Sequence, residues 1–392
     1  MISFAGITLK NPIVVASSPL SNSIDLLKKA EDNGAAGASL KLTFEKVPFP
    51  SQLRSYSLPG TGLLFGIDRR LNKDEGLELM RMGKEKTSLV LMANITSHST
   101  DLENWVSLAR EFEEAGADMI EANLVCPHTG LPSQLLGEKV LEELRSGAQI
   151  GQIPELCQLI TRALKDALGI PVVPKPYSNH PRFPETVKAI EEGGADGISV
   201  STSIPVCLPA PDIYGGGKPT VPLLDKASLG IITGYPLAKH SIFGKISQIK
   251  NNSELEIVAS GGVSKWTDIV EMTMWGATAV GICTHLMWYG FEEIPKMLEG
   301  LSRYMEEQEV DSLDSIRGLA LNYLTTSSNL QILEGTAIVD PDLCNSCGLC
   351  LNPGHCVAVT MEEKAQVDPE KCIGCSICVN LCPKKAIRME TF

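Results

Sequence analysis

Four copies of one phrase constrain the fold of this chain more than any other feature. They are Gly34-Ala-Ala-Gly-Ala-Ser, Gly116-Ala-Asp-Met-Ile-Glu, Gly194-Ala-Asp-Gly-Ile-Ser and Gly276-Ala-Thr-Ala-Val-Gly, each closing a helical pattern and opening an apolar run. A glycine helix stop that leads into a short buried strand is the mark of a β/α repeat. The apolar runs number eight: PIVVAS (12–17), ASLKLT (38–43), LVLMAN (89–94), MIEANL (119–124), PVVPKP (171–176), GISVS (197–201), EIVAS (256–260) and TAVGI (278–282). Helix-length amphipathic segments such as 101–115, 183–193 and 264–275 separate most of them, while 129–170 and 202–235 hold longer inserts. Eight alternating units within residues 1–310 fit an α/β fold of the (β/α)8 TIM barrel type.

Such a barrel carries its chemistry at the C-terminal ends of its strands. Polar residues stand there in turn: Ala16-Ser17-Ser18, Lys41, Asn94, Asn123 with Cys126, Lys175, Ser201-Thr202-Ser203, Gly261-Gly262, and Cys283-Thr284. Lysine is almost never buried without a partner, so Lys41 and Lys175 inside apolar runs read as functional. Asn94 follows from its barrel position only. Asn123 reads equally as a turn former, and Gly261-Gly262 equally as a tight βα turn. Barrels commonly hold a phosphate between the loops after strands seven and eight, which implies a phosphorylated cofactor here. Cys126 stands directly before a proline, and spacing alone leaves it either reactive or a buried structural thiol. Cys157 and Cys207 read as small buried hydrophobes.

Eight of the twelve cysteines crowd into residues 344–382. They read C-N-S-C-G-L-C from Cys344, then Cys356, then C-I-G-C-S-I-C-V-N-L-C-P from Cys372. Two motifs of three cysteines at x2 spacing form the ligand pattern of paired [4Fe–4S] clusters, in which the fourth thiolate of each cube comes from the other half. That pattern assigns Cys344, Cys347, Cys350 and Cys382 to one cluster and Cys372, Cys375, Cys378 and Cys356 to the other. A zinc ribbon also uses C-x2-C pairs, but needs only four sulfurs. The module spans 337–392, with a helical connection over 311–336.

Composition excludes several classes. With 43% hydrophobic residues in 392 there is enough for one large core plus a smaller module. A net charge of -13 without a basic stripe argues against a nucleic-acid partner. No signal-like start and no run near the ~20 apolar residues of a membrane span is present, so a cytoplasmic, membrane-free protein is expected.

NLVCPH (123–128) resembles the active-site signature of class 1 dihydroorotate dehydrogenases and of the flavin domain of dihydropyrimidine dehydrogenases. NPIVVASSP, LKLT around Lys41, EEGGADGIS, SGGV (260–263) and the two-cluster tail extend the resemblance along nearly the whole chain. It implies an FMN barrel that oxidises or reduces a C–C/C=C bond of a cyclic amide. Lys41 and Lys175 would lie near the flavin, Ala16 and Ser17 against the isoalloxazine. Gly262, Cys283 and Thr284, with Gly261 and Gly230, would serve the phosphate. Asn123 would hydrogen-bond the heterocycle, and Asn72 in RRLNKDEG would match a second substrate asparagine. Cys126 becomes the general acid/base, carried on a mobile loop, HTGLPSQLLG; a thiol titrates close enough to neutrality for that task.

One departure stands out. The dihydropyrimidine enzymes carry an Asn-Thr pair after strand six, where this chain has Thr202-Ser203, and a hydroxyl lacks the donor-plus-acceptor edge of an amide. The Pro- and Gly-rich segment 203–224 and Arg69-Arg70 suit a changed, anionic substrate. Dihydroorotate is one rival, and an electron-transfer subunit without its own substrate is another. No GxGxxG fingerprint for NAD(P) or FAD is present, so an NAD(P)H/FAD reductase subunit or a ferredoxin is the expected electron partner. A homodimer or larger assembly is common in this resemblance.

Overall fold

Every glycine of the repeated phrase ends its helix with left-handed backbone: φ is +92° at Gly34, +96° at Gly116, +89° at Gly194 and +116° at Gly276. A Cβ is disfavoured in that region, which is why the stop is glycine each time. The computed structural model describes residues 1–392 apart from 46–55, 59–61, 66–68, 100, 127–144, 222–225, 227–228, 235, 332 and 392. Its contacts divide the chain into two units, Met1–Tyr323 and Leu324–Phe392.

All eight expected strands form in the first unit. They are β1 (Ile13–Val15), β2 (Gly37–Ser39), β3 (Val90–Ile95), β4 (Met119–Leu124), β5 (Val172–Pro176), β6 (Ile198–Ser201), β7 (Ile257–Ser260) and β8 (Ala279–Ile282). The parallel ladders run in the order β5-β4-β3-β2-β1-β8-β7-β6, and β5 and β6 lie alongside one another at the seam. There Asp196 N donates to Val172 O at 3.0 Å. This is the (β/α)8 TIM barrel, with helices Leu102–Glu114, Phe183–Glu192 and Trp266–Met274 where the amphipathic patterns lie. Most of the core fills the layer between strands and helices, with Trp105, Phe112 and Phe183 fully enclosed.

Three features differ from the sequence expectation. The second run is a strand only to Ser39, because Lys41 N bonds to Ser21 O and leaves the ladder before a short strand resumes at Thr43–Phe44. A hairpin of Ile2–Phe4 and Ile7–Leu9 precedes the barrel. Ile2, Phe4 and Leu9 pack with Val14, Met119, Val173, Val258 and Ala279, so the hairpin plugs the N-terminal end of the barrel. Finally, the inserts after β2 and β6 pair into one antiparallel sheet, ordered Ile204–Cys207, Gly230–Thr233, Gly62–Phe65, Tyr56–Leu58.

In the second unit, Gly335–Val339 pairs antiparallel with Ile387–Thr391, and Val359–Met361 with Ala365–Val367. Its small core is Ala337, Cys350, Ala365, Cys378 and Ile387. No helix among the described residues is long and apolar enough to cross a membrane.

Candidate active site and cluster module

The C-terminal strand ends surround a cavity of about 480 Å3. Of the residues named from sequence, Ala16, Ser17, Lys41, Asn123, Cys126, Lys175, Thr202, Ser203, Gly261, Gly262, Cys283 and Thr284 line it. Arg70, also named from sequence, lines it too, and Thr233 and Gly234, at the end of an insert strand, join them. Asn72, Asn94 and Gly230 are not brought to the wall. Asn72 is exposed and caps helix Lys73–Lys86, accepting from Glu75 N at 2.9 Å. Gly230 opens the insert strand Gly230–Thr233. Asn94 is buried beneath the rim. The loop HTGLPSQLLG (128–137) lies outside the described residues.

At one end of the cavity, φ is +141° at Gly261 and +72° at Gly262, so the backbone bends there without side chains in the way. Asp268 shapes this turn, accepting from Ser264 N at 2.8 Å and Lys265 N at 3.0 Å, and pairing with Lys239 at 2.7 Å. Burial alone would push the Asp268 carboxyl up, but Lys239 and the Ser264 bonds hold it below the usual carboxylate range. A glycine cradle near Thr284, with Lys265, Lys41 and Lys175 lining the same cavity, offers donors and positive charge to a phosphorylated, electron-accepting ring system. The donor set fits FMN.

At the other end, Cys126 is buried at 4% exposure, and Arg70 Nη2 donates to its Sγ at 3.4 Å. Thr202 is buried back at the glycine cradle, where a Cβ on Gly261 would meet its Cγ2 at 3.1 Å, and its hydroxyl is 2.9 Å from Ser241 Oγ. Lys175 is not an isolated buried charge. It pairs at 3.4 Å with Glu121, a residue the sequence reading passed over. Glu121 accepts from Ser39 Oγ and Ser199 Oγ, each at 2.5 Å, and from Asn94 Nδ2. Burial pushes its carboxyl up, while Lys175 and those hydrogen bonds outweigh it and hold it below the usual range. The available signal was a glutamate in the middle of an apolar run, a costly placement without a partner.

In the second unit the two cysteine motifs share one backbone pattern. Ser346 and Gly348 have φ of +61° and +77°; Gly374 and Ser376, at the same places in the second motif, have +70° and +58°. Burial pushes the Cys350 thiol up, with Cys347, Cys344 and Cys382 adding to it; Cys356, Cys372 and Cys375 do the same for Cys378. Cys350 and Cys378 therefore each have as neighbours the three cysteines assigned with them. Backbone amides point at two of them, Ala337 N to Cys372 Sγ at 3.5 Å and Ala386 N to Cys382 Sγ at 3.2 Å. Among the described residues no three such side chains close on one point as ligands of a single ion do. A cubane takes one thiolate at each of four separate irons.

An eight-stranded parallel barrel with lysines, a thiol and a glycine cradle at its strand ends defines a flavin-type oxidoreductase site. Comparison with known proteins agrees: the dihydroorotate dehydrogenase family model matches residues 66–305, and the 4Fe-4S binding domain model matches 365–388. The chain belongs to the dihydroorotate dehydrogenase family, flavin-dependent oxidoreductases acting on CH–CH groups, and carries a 4Fe-4S binding domain. It is 29% identical over 365 residues to the NAD-dependent dihydropyrimidine dehydrogenase subunit PreA of Escherichia coli K12, covering 89% of this chain and 84% of that one. It is 28% identical over 335 residues to the catalytic subunit of dihydroorotate dehydrogenase B (NAD(+)) of Pyrococcus abyssi, covering 82% and 98%. The chloroplastic dihydropyrimidine dehydrogenase (NADP(+)) of Arabidopsis thaliana is 24% identical over 347 residues, covering 83% and 78%.

Proposed function

We propose that this chain is the catalytic subunit of a dihydropyrimidine dehydrogenase-like enzyme acting on a C–C/C=C bond of a cyclic amide. Cys126 is its general acid/base, and two [4Fe–4S] clusters carry its electrons. The observation that carries the reading is the meeting in one cavity of Cys126, Lys41 and Lys175 with the Gly261–Gly262 cradle. Residues 1–310 form the flavin domain, 311–336 the connection and 337–392 the cluster domain.

Gly261, Gly262, Cys283, Thr284 and Lys265 would hold the FMN phosphate, and Ala16, Ser17, Lys41 and Lys175 its ring. When bound, FMN supplies hydride exchange with one ring carbon of the substrate. Cys126 Sγ gives or takes the proton at the neighbouring carbon. Its burial keeps bulk water from competing for that proton, and Arg70 donates a hydrogen bond to the sulfur. Asn123, Thr202 and Ser203 face the substrate from β4 and β6. The matched backbone turns of the two cysteine motifs, and the grouping of sulfurs in fours, support two cubanes rather than one. An NAD(P)H/FAD reductase subunit or a ferredoxin completes the electron path, in a cytoplasmic homodimer or larger assembly.

A dihydroorotate-type substrate is the second reading, favoured by two contacts. The Thr202 hydroxyl is engaged by Ser241, so it does not replace the amide edge that a uracil ring requires, and Arg70 beside Cys126 suits a carboxylate. The test is anaerobic. The reduced protein is mixed with uracil, thymine or orotate, and the flavin band near ~450 nm is followed. Reoxidation by one of the pyrimidines identifies the substrate class. Reoxidation by ferredoxin alone overturns the enzyme reading in favour of an electron relay.

A further inference from the structure

Glu121 takes no part in the proton exchange proposed above, yet its carboxylate gathers partners from four other strands. Ser39 comes from β2, Asn94 from β3, Lys175 from β5 and Ser199 from β6. Stability alone is a weak reason for such a group, since a buried ion pair is often replaceable by apolar side chains without loss.

Two lines of contact lead from Glu121 to the cavity. One is the ion pair to Lys175, which lines the wall. The other runs through amides. Asn94 Nδ2 donates to Glu121, Asn94 Oδ1 accepts from Asn123 Nδ2 at 2.9 Å, and Asn123 Oδ1 accepts from Val125 N at 3.2 Å and Cys126 N at 3.0 Å. The direction is set at the carboxylate, which only accepts. Asn94 must therefore turn its NH2 toward Glu121 and its oxygen toward Asn123, and Asn123 must turn its oxygen toward the loop amides.

We propose that Glu121 is a positioning residue: it aims Lys175 into the cavity on one side and, through Asn94 and Asn123, fixes the backbone of Cys126 on the other. A consequence follows for Asn123. Both lone pairs of its oxygen are taken by the Val125 and Cys126 amides, so it has an N–H to give a ligand and no acceptor to match. The inference rests on the reading that the cavity holds FMN and that Cys126 exchanges the proton.

The experiment uses the full chain with its cofactors. Glu121→Gln keeps the shape, removes the charge and lets the amide order reverse. Its flavin midpoint potential should rise, because the Lys175 charge loses its counterpart. Iodoacetamide alkylation of Cys126, read by mass spectrometry against Cys283, should speed up roughly three- to tenfold as the latch loosens. Adding Lys175→Met removes both charges and should return the potential toward wild type while alkylation stays fast. Asn94→Leu cuts only the amide line, so alkylation should speed up and the potential stay put. A doubly substituted protein whose potential stays at the Glu121→Gln value, or unchanged alkylation in both Glu121→Gln and Asn94→Leu, overturns the proposal. If Glu121→Gln does not fold, Asn94→Leu decides by the same alkylation criterion. That readout needs no flavin, so a protein found without FMN defeats the functional reading while the positioning role of Glu121 is still judged.

Discussion

Gly151 offers a sharp test of how the cysteine loop is placed. It ends the short helix Ala148–Gly151, against the ends of β4 and β5. A Cβ at this position would stand 2.6 Å from Tyr177 N and 3.0 Å from the Leu124 carbonyl carbon, and closer still to the Leu124 oxygen. Comfortable contact needs ~3.5 Å, so Gly151→Ala must push these backbones by about 1 Å. Neither neighbour is a flexible side-chain end; one is the last residue of β4 and the other directly follows β5, and Cys126 follows Leu124 by two residues. Overpacking of this kind costs about 1–3 kcal/mol of stability, and a displacement of about 1 Å at a reacting group costs roughly 100-fold in rate. Urea unfolding and anaerobic flavin reoxidation of the variant measure the two separately. Gly244→Ala is the control: the site lies exposed in helix Pro236–Lys250 with nothing within 4 Å of the added methyl. It should stabilise by about 0.5–1 kcal/mol and leave the rate alone. A Gly151→Ala protein within twofold of wild-type rate refutes the claim that the β4 end is held rigidly under Cys126.

Other outcomes follow from the same geometry. Phe4 is fully buried in the plug at the barrel's N-terminal end, so Phe4→Ala should cost about 3–5 kcal/mol in urea unfolding while FMN binding persists in the folded fraction; a loss under 1 kcal/mol contradicts the plug. Asp268 is held below its ordinary value in the folded state, so the unfolded chain takes up its proton first on acidification. Its stabilisation is present at neutral pH and lost as pH falls below about 4. Melting curves from pH 3 to 7 should therefore be flatter on the acid side for Asp268→Asn than for wild type, and parallel curves count against the linkage. Cys382→Ala and Cys356→Ala should each cut bound iron from about eight to about four per chain, whereas one shared cluster would lose all of it in either variant.

Much of this was legible in the sequence because each signal was local. A short apolar run needs no distant partner to be recognised, and all eight barrel strands lie where such runs occur, four of them directly after a glycine stop. The two cysteine motifs were equally plain, since x2 spacing alone puts three sulfurs around a cube. What stayed hidden depends on distant pairing. The plug hairpin has strands of three residues, too short for a period to show. The insert sheet joins 56–65 to 204–233, segments that nothing in either stretch relates. Glu121 was passed over, because the partners that give it a role come from four other strands. Asn72 is the instructive case: Asn-x-x-Glu before a helix is a capping signature, so its engagement with Glu75 could have been read from the residues themselves.

The central claim is that Cys126 exchanges the substrate proton. The direct measurement is a single anaerobic turnover: reduced wild type and Cys126→Ala, each loaded with FMN and iron to equal content, are mixed with the pyrimidine that reoxidises the wild-type flavin. Ferricyanide serves as the oxidant that needs no proton transfer at carbon. The account predicts that Cys126→Ala loses at least about 100-fold in reoxidation by the pyrimidine, with ferricyanide reoxidation unchanged. Equal loss with both oxidants, or no loss with the pyrimidine, contradicts it and returns Cys126 to the role of a buried structural thiol.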